Sequence, residues 1–273
     1  MEDIKLYSEI IKRLRSFFQD SLGFIEVPAQ SRLSILAACE DPRTISTFVF
    51  GGKKYPLPQT GQMWLEYELL KNPIISGVFC QTTSYRDEPN PIPGRHDKIF
   101  PMFEFESKGD INNLKGIERQ LLKTFGFPDP INLNYESACS RYGVSELEAK
   151  HEEDIYRDYG PSVLLEMFPQ RTHPFWNMKH NGGEMFNKVD VLLYGMETIG
   201  SAERSTNVDE MRRNFLSISD GVYSKLLIDS FGRERVMADL EEYLSLGMFP
   251  RFGGGIGITR MARALKFAKL DKI

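Results

Sequence analysis

Long apolar segments and paired cysteines are both scarce in this sequence. No run of 18 or more apolar residues occurs in the 273 residues, and the first twenty residues carry charges throughout. Neither a membrane span nor a signal peptide is therefore indicated, and we expect a soluble, cytoplasmic protein. The three cysteines, Cys39, Cys80 and Cys139, lack CxxC spacing, which argues against a disulfide framework and a zinc site. We expect them to be reduced packing residues.

Surplus positive charge is also missing. The chain has 34 Lys and Arg against 38 Asp and Glu, a formal net charge of -4, whereas a module that mainly grips nucleic acid needs a basic surplus. A local basic patch remains compatible with this balance. The composition, 41% hydrophobic and 26% charged, is that of an ordinary globular enzyme, and a chain of this length can bury a full core.

The spacing of apolar residues predicts an α+β fold. An amphipathic helix is predicted over residues 3–21, ending near Gly23. Further helices are predicted at 62–70, 113–125, 209–216 and 236–246, and short strands rich in β-branched or aromatic residues at 47–50, 77–84 and 99–106. The strands have an antiparallel pattern, and no repeat or long linker divides the chain. We predict a single domain over residues 1–273.

The first cluster of chemically informative residues follows the predicted strand 77–84. Arg86 and Glu88 begin a loop punctuated by proline and glycine, Arg95 and His96 end it, and the alternating segment 99–106 follows. Two antiparallel strands joined by such a loop suit ATP, because arginine donates to phosphate oxygens and glutamate accepts from an adenine amino group. Taken alone, a solvated charged hairpin explains this cluster equally well.

Two further clusters lie in the second half of the chain. Asp190, Glu197 and Arg204 are spaced seven residues apart around an apolar, strand-like run, and such carboxylates suit Mg²⁺ between phosphates. In residues 252–260 a glycine-rich strand leads into a helix near Thr259, where Arg260 adds positive charge to a helix terminus that already favours anions. By itself, the loose spacing of the two acids is weak evidence for a metal site. Tight packing of the strand against the helix is an alternative explanation of the glycines.

Taken in order, these clusters resemble the three signature motifs of class II aminoacyl-tRNA synthetases, most closely the aspartyl, asparaginyl and lysyl subgroup. Residues 22–28 are similar to the first motif, residues 85–106 to the second and residues 253–260 to the third. The resemblance spans nearly the whole chain. It implies an antiparallel sheet flanked by helices, a homodimer built on residues 22–28, and ATP-dependent activation of an amino-acid carboxylate as an acyl-adenylate.

The resemblance also implies roles at the nucleotide side. Arg86 would bind the α-phosphate and stabilise charge as the carboxylate attacks, and Arg260 would cover adenine and the γ-phosphate from the other face, so both are expected to be catalytic. Asp190 and Glu197 match the family's magnesium-binding acids, which makes ATP and Mg²⁺ the implied cofactors. The full set implied in ATP binding is Arg86, Glu88, Arg95, His96, Phe100, Glu197 and Arg260.

The amino-acid side of the site is implied by residues 59–66, which resemble the subgroup's substrate-binding stretch. Leu65 occupies the place where aspartyl enzymes carry a lysine, and Glu66 follows the asparaginyl pattern instead, so an Asp- or Asn-like substrate is implied with the choice between them open. Glu104 resembles the acid for the substrate α-ammonium. The set implied in amino-acid binding is Thr60, Gln62, Glu66, Glu104, His173 and Arg204.

The subgroup places an anticodon-binding OB-fold barrel before its catalytic core, whereas the first motif here begins near residue 22, and we expect no such barrel. The chain thus resembles freestanding paralogues such as asparagine synthetase A and archaeal asparagine synthetase-related proteins. Our leading hypothesis is an amide ligase that transfers activated aspartate, or a close analogue, to ammonia or an amine. Esterification of tRNA or another carrier is the alternative, with tRNA less favoured, and a catalytically silent binding module is the third.

Overall fold

A computed structural model describes residues 3–29, 33–37 and 42–271 of the protein. The helices are α1 Ile4–Arg15, α2 Gln62–Lys71, α3 Ile111–Thr124, α4 Tyr135–Tyr142, α5 Ala149–Tyr159, α6 Val208–Ser217, α7 Val222–Phe231, α8 Arg233–Leu244 and α9 Ile258–Phe267. The strands are β1 Ile25–Glu26, β2 Thr47–Phe50, β3 Lys53–Pro56, β4 Gly77–Tyr85, β5 Ile99–Lys108, β6 Ile131–Asn134, β7 Ser162–Pro169, β8 Met185–Leu193, β9 Glu197–Arg204 and β10 Arg251–Gly257. The predicted α+β class is confirmed.

One sheet of eight strands, in the order β1-β4-β5-β10-β9-β8-β7-β6, organises the fold. Its interior pairs are antiparallel, as expected, whereas the two outermost pairs, β1 with β4 and β6 with β7, are parallel. The sheet is therefore mixed rather than purely antiparallel. A separate hairpin of β2 and β3 precedes α2.

The two faces of the sheet carry different layers. On one face α1, α3 and α9 cover a core centred on Phe18, which contacts the rings of Phe79, Phe103 and Phe105. On the other face α2, with α6 to α8 beyond it, covers only part of the sheet. Because side chains alternate along a strand, residues with even numbers on β5 face this partly covered side while Phe103 and Phe105 face the core. That open side holds the cavity described below.

Several predicted elements agree with the structure to within a few residues. The first predicted helix is α1 followed by a π-helical turn, Ser16–Ser21, so its end near Gly23 is confirmed. Helices α4, α5 and α7 and strands β3, β6, β7 and β9 were not predicted. Cys80 and Cys139 are buried free thiols, as expected, while Cys39 lies outside the described residues. Within the described ranges, no helix is long and apolar enough to cross a membrane.

Candidate active site

A cavity of about 300 Å³ lies over the central strands of the sheet. It gathers side chains from α2, β5, β8, β9, β10, α9 and the loop that joins β4 to β5. The predicted site residues in its lining are Thr60, Gln62, Arg86, Glu88, Arg95, His96, Phe100, Glu104, Glu197, Arg204 and Arg260. Residues from all the predicted clusters therefore meet at one place. Glu66, His173 and Asp190 lie outside the lining.

Glycines of β9 and β10 form the floor of the cavity because their neighbours' side chains lie across them. A Cβ atom at Gly253 would lie 2.1 Å from the Glu106 carboxylate, and one at Gly255 would lie 2.7 Å from Cε of Met102. At Gly200 a Cβ would lie 2.9 Å from Oε1 of Glu197. The glycine-rich segment thus allows neighbouring side chains, two carboxylates among them, to lie close to the backbone.

Positive charge is concentrated at the end of the cavity formed by the 86–98 loop and α9. Arg86 lies over the ring of Phe100, with its Cζ 5.7 Å from the ring centre. Arg260 donates to the backbone oxygen of Glu197 at 2.8 Å, and its Nη1 lies 3.5 Å from the Glu197 carboxylate. Glu88 and His96 are partners across the loop, with Nδ1 3.0 Å from Oε2.

Arg95 and Glu152 join the loop to α5. Their ion pair spans 2.5 Å, and the second carboxylate oxygen of Glu152 accepts from the Glu197 backbone N–H at 2.8 Å. Burial raises the pKa of Glu152, against the pull of Arg95. Glu152 was not predicted as part of the site, because it lies on a helix that belongs to none of the motifs.

The charge of Arg86 affects the pKa values of carboxylates at both ends of the cavity. Burial raises the pKa of Glu104 at one end, and three hydrogen bonds together with the charge of Arg86 oppose that rise. At the other end burial opposes ionisation of Glu197, but Arg260, Lys188 and Arg86 together hold its pKa below the ordinary value. The charge of one guanidinium therefore favours the ionised form of carboxylates at both ends of the cavity.

Glu104 organises the turn before α2. It accepts hydrogen bonds from the Thr60 hydroxyl at 2.5 Å, from the Gly61 backbone N–H at 2.8 Å and from the Thr82 hydroxyl. The Thr60 oxygen in turn accepts from the backbone N–H of Gln62 at 3.0 Å. These contacts fix the first turn of α2 and direct Gln62 into the cavity.

Behind this end lies a buried network of charged residues. Arg204 binds Glu106 at 2.5 Å and approaches Glu66 at 3.5 Å. Glu66 binds Arg251 at 2.8 Å and accepts from the Tyr243 hydroxyl at 2.6 Å. Burial opposes ionisation of Glu66, but Arg251 and Arg204 hold its pKa below the ordinary value. Glu66 thus stabilises the Arg204 guanidinium from outside the lining of the cavity.

Asp190 and Glu197 were predicted to hold magnesium. An added Cβ at Gly200 would be near both carboxylates, 2.9 Å from Glu197 and 3.7 Å from Asp190, so the two side chains converge on one point of the sheet. Among the described residues no group of three or more His, Cys, Asp or Glu could hold a metal. Two carboxylates fit Mg²⁺, which is usually bound by one or two carboxylates together with substrate phosphates and water.

His173 and Lys188 are two further residues whose positions differ from the sequence-based expectations. His173 is exposed, with φ of 50° after the turn Gln170–Thr172, and does not reach the cavity. Lys188 lines the cavity and donates to Asp190 at 2.7 Å, although no motif pointed to it. The sequence could have indicated Lys188, because it lies two residues before Asp190 and therefore on the same face of the strand.

The sequence model of one family, tRNA synthetases class II (D, K and N), matches residues 1–270. The chain belongs to this family. No curated protein is similar enough in sequence to match it.

Solved structures of such synthetases share the fold. The asparaginyl-tRNA synthetase from Pyrococcus horikoshii complexed with asparaginyl-adenylate has a TM-score of 0.78 at 19% identity, covering 96% of this chain and 65% of that one. Asparaginyl-tRNA synthetase from Entamoeba histolytica gives 0.75 at 19%, covering 96% and 63%. Aspartyl-tRNA synthetase from the same organism gives 0.71 at 17%, covering 98% and 55%. The chain thus spans less than two thirds of each of these proteins.

Proposed function

We propose that the chain is an ATP-dependent ligase that activates aspartate, asparagine or a close analogue as an acyl-adenylate. The observation that carries the proposal is geometric: one cavity is lined by Arg86, Arg95 and Arg260 toward one end and by Gln62, Glu104 and Arg204 toward the other. A nucleotide with its phosphates beside Arg86, Arg95 and Arg260 and an amino acid beside Gln62 and Arg204 would meet at Arg86. The similarity to a synthetase complexed with asparaginyl-adenylate supports the same placement.

In the first step a carboxylate oxygen of the amino acid attacks the α-phosphorus of ATP, a new O–P bond forms, and pyrophosphate leaves. Arg86 stabilises the charge that develops on the α-phosphate, and Phe100 stacks against the purine. Arg260, with Arg95 and His96, orients the other phosphates so that displacement is in line. Mg²⁺ held by Asp190 and Glu197 would neutralise phosphate charge when bound. No covalent intermediate on the protein is needed.

In the second step we propose that ammonia or an amine attacks the acyl carbon, releasing AMP and a proton. The formal net charge of -4 favours a small acceptor, since binding of tRNA relies on many contacts between basic side chains and phosphates. Transfer to tRNA or another carrier is the second candidate, favoured by the structural similarity to asparaginyl- and aspartyl-tRNA synthetases.

We also propose a homodimer built on residues 22–28. Strand β1 lies at the edge of the sheet formed by the described residues, where it pairs with β4 on one side and both its residues are exposed. Trp64 on α2 donates to the backbone oxygen of Pro28 at 2.9 Å, which ties this segment to the substrate side of the site. An isologous contact here would support both active sites. Sedimentation equilibrium gives the mass directly, and a fully active monomer would contradict the proposal.

The chemistry can be tested with purified protein. It is incubated with ATP, Mg²⁺ and each amino acid in turn, with and without ammonium or total tRNA, and the products are identified by mass spectrometry. Asparagine and AMP formed only with aspartate and ammonium are the expected result. Acylated tRNA without free amide would support the second candidate. Absence of amino-acid-dependent exchange of pyrophosphate into ATP would contradict the activation step itself.

A further inference from the structure

Lys188 occupies a wall of the cavity that the motif residues leave unexplained. Its ammonium donates to Asp190 at 2.7 Å and lies 3.9 Å from the ring centre of Phe168, with 18% of its side chain exposed. Strand β7 bulges beside it, where Met167 has φ of 64° and the register shifts between Glu166 and Phe168. A non-glycine residue keeps such a positive φ where the surrounding structure holds it there. The lysine is thus held in place by an aromatic ring and a carboxylate.

The register of the sheet places Lys188 toward the amino-acid end. It pairs with Ala202 on β9, between Gly200 and Arg204 on the same face of the sheet. The contacts expected for phosphates, Arg260 with Glu197, lie at the opposite end of β9. A side chain that extends from the substrate toward Arg204 would therefore run beside Lys188.

Charge compensation indicates what Lys188 could bind. The guanidinium of Arg204 is already paired with Glu106 and approached by Glu66, so it brings little unbalanced positive charge to a ligand. Leu65 is fully buried against Val78 and Cys80 and offers no charge either. A substrate carboxylate entering this part of the cavity needs a cation, because desolvating an unpaired charge is costly. Lys188 lines the cavity and is itself paired with Asp190, but 18% of its side chain is exposed against 2% for Arg204, so a ligand carboxylate can reach its ammonium and share it with Asp190.

We propose that Lys188 and Arg204 together form the subsite for the substrate side chain and that Lys188 selects an amino acid with a side-chain carboxylate. This proposal rests on the proposed function and narrows its substrate class to acidic amino acids. Arg204 orients one carboxylate oxygen through its fixed fork of donors, and the Lys188 ammonium binds the other. An amide in the same place has only one acceptor oxygen, so its NH2 group would face one of the two cations without accepting a hydrogen bond from it.

The test compares Lys188→Met and Lys188→Arg with the wild-type enzyme. The matched control is Lys115→Met, because Lys115 and Glu166 form an ion pair of 2.8 Å with similar exposure outside the cavity. Pyrophosphate exchange is measured with aspartate, glutamate and asparagine. Binding of the unreactive analogues aspartyl- and asparaginyl-sulfamoyl-adenosine is measured by calorimetry.

For Lys188→Met we expect KM for aspartate and Kd for the aspartyl analogue to rise about 10- to 100-fold, the factor for one charge-assisted hydrogen bond. KM for ATP and affinity for the asparaginyl analogue should stay near wild type, and Lys188→Arg should recover part of the loss. Equal weakening of both analogues, or a rise confined to KM for ATP, would overturn the proposal while leaving the proposed function intact. A wild-type protein that neither exchanges nor binds either analogue would overturn both.

Discussion

The two ends of the cavity use charge in different ways. At the proposed nucleotide end two ion pairs are partly exposed: Arg260 with Glu197 at 27% and 38% of their side-chain areas, and His96 with Glu88 at 26% and 33%. At the amino-acid end Arg204, Glu106, Glu66 and Arg251 are each 2% exposed or less. Exposed pairs can exchange partners when a charged ligand arrives, whereas buried pairs lose much stability when one partner is removed.

This difference suggests that the two ends of the cavity have different roles in ligand binding. Arg260 and His96 are held by partly exposed carboxylates that the phosphates of ATP could replace at small cost. The buried network cannot rearrange so easily, and it holds Arg204 in one orientation relative to the floor of glycines. The first end is suited to binding and release of a highly charged ligand, and the second to discrimination between side chains of similar shape.

The largest effect is expected from breaking the buried network. Arg251→Met leaves Glu66 buried without its main cation, and we expect the free energy of unfolding to fall by about 3–5 kcal/mol in urea denaturation at pH 7. Adding Glu66→Gln to this variant should recover part of the loss, because the unpaired charge is removed. The exposed pair of Arg212 and Glu241 provides the control, and Arg212→Met should change stability little. A loss as small as the control's would contradict the comparison.

A loss of activity without loss of stability is expected at the nucleotide end. Arg86→Ala should lower the rate of pyrophosphate exchange at least 100-fold, since the charge stabilisation it removes is worth about 3 kcal/mol or more. Because Arg86 is exposed, urea unfolding should be unchanged. Lys98→Ala is the control in the same loop: Lys98 pairs with Asp87 outside the lining. Near-normal exchange in Arg86→Ala would show that the site is misplaced.

The sequence predicted the nucleotide end better than the amino-acid end, for a physical reason. Arg86, Glu88, Arg95 and His96 lie in one short loop, and Arg260 follows a glycine-rich strand, so local pattern locates them. The role of Glu66 depends on pairing with Arg251, 185 positions away, which no local pattern reveals. The resemblance implied a role for Glu66 in amino-acid binding, but Glu66 lies outside the lining of the cavity, in the buried network behind it.

Helix α5 and strand β7, neither of which was predicted, show the same limit of local sequence patterns. Helix α5 buries only His151 and Ile155, so its apolar periodicity is too sparse to recognise, and Glu152 was missed with it. Strand β7 reads as two short apolar runs on either side of Glu166, a pattern that does not distinguish a buried strand from a buried helix. Lys188 was within reach of prediction, because it shares a strand face with Asp190.

The smallest effect is expected at Glu118, a carboxylate behind the sheet that is held by a hydroxyl instead of an arginine. Glu118 on α3 lies fully buried, with Oε1 2.6 Å from the Ser201 hydroxyl. Burial raises its pKa from 4.5 to about 8, and Asp190 adds to the rise. Between these two pKa values the unfolded chain loses the proton first, so this residue makes the folded state less stable as pH increases from 5 to 8.

Glu118→Gln removes the ionisable group and keeps the shape of the side chain and a hydrogen bond to Ser201. We therefore expect little difference from wild type at pH 5 and a gain for the variant that grows to about 1–3 kcal/mol at pH 8. Urea unfolding at pH 5, 6.5 and 8 measures it, with Glu146→Gln as an exposed control. If the difference between variant and wild type were independent of pH, Glu118 would be ionised in the folded protein throughout. A buried carboxylate could then remain charged without an arginine beside it, and the contrast with the paired network would not hold.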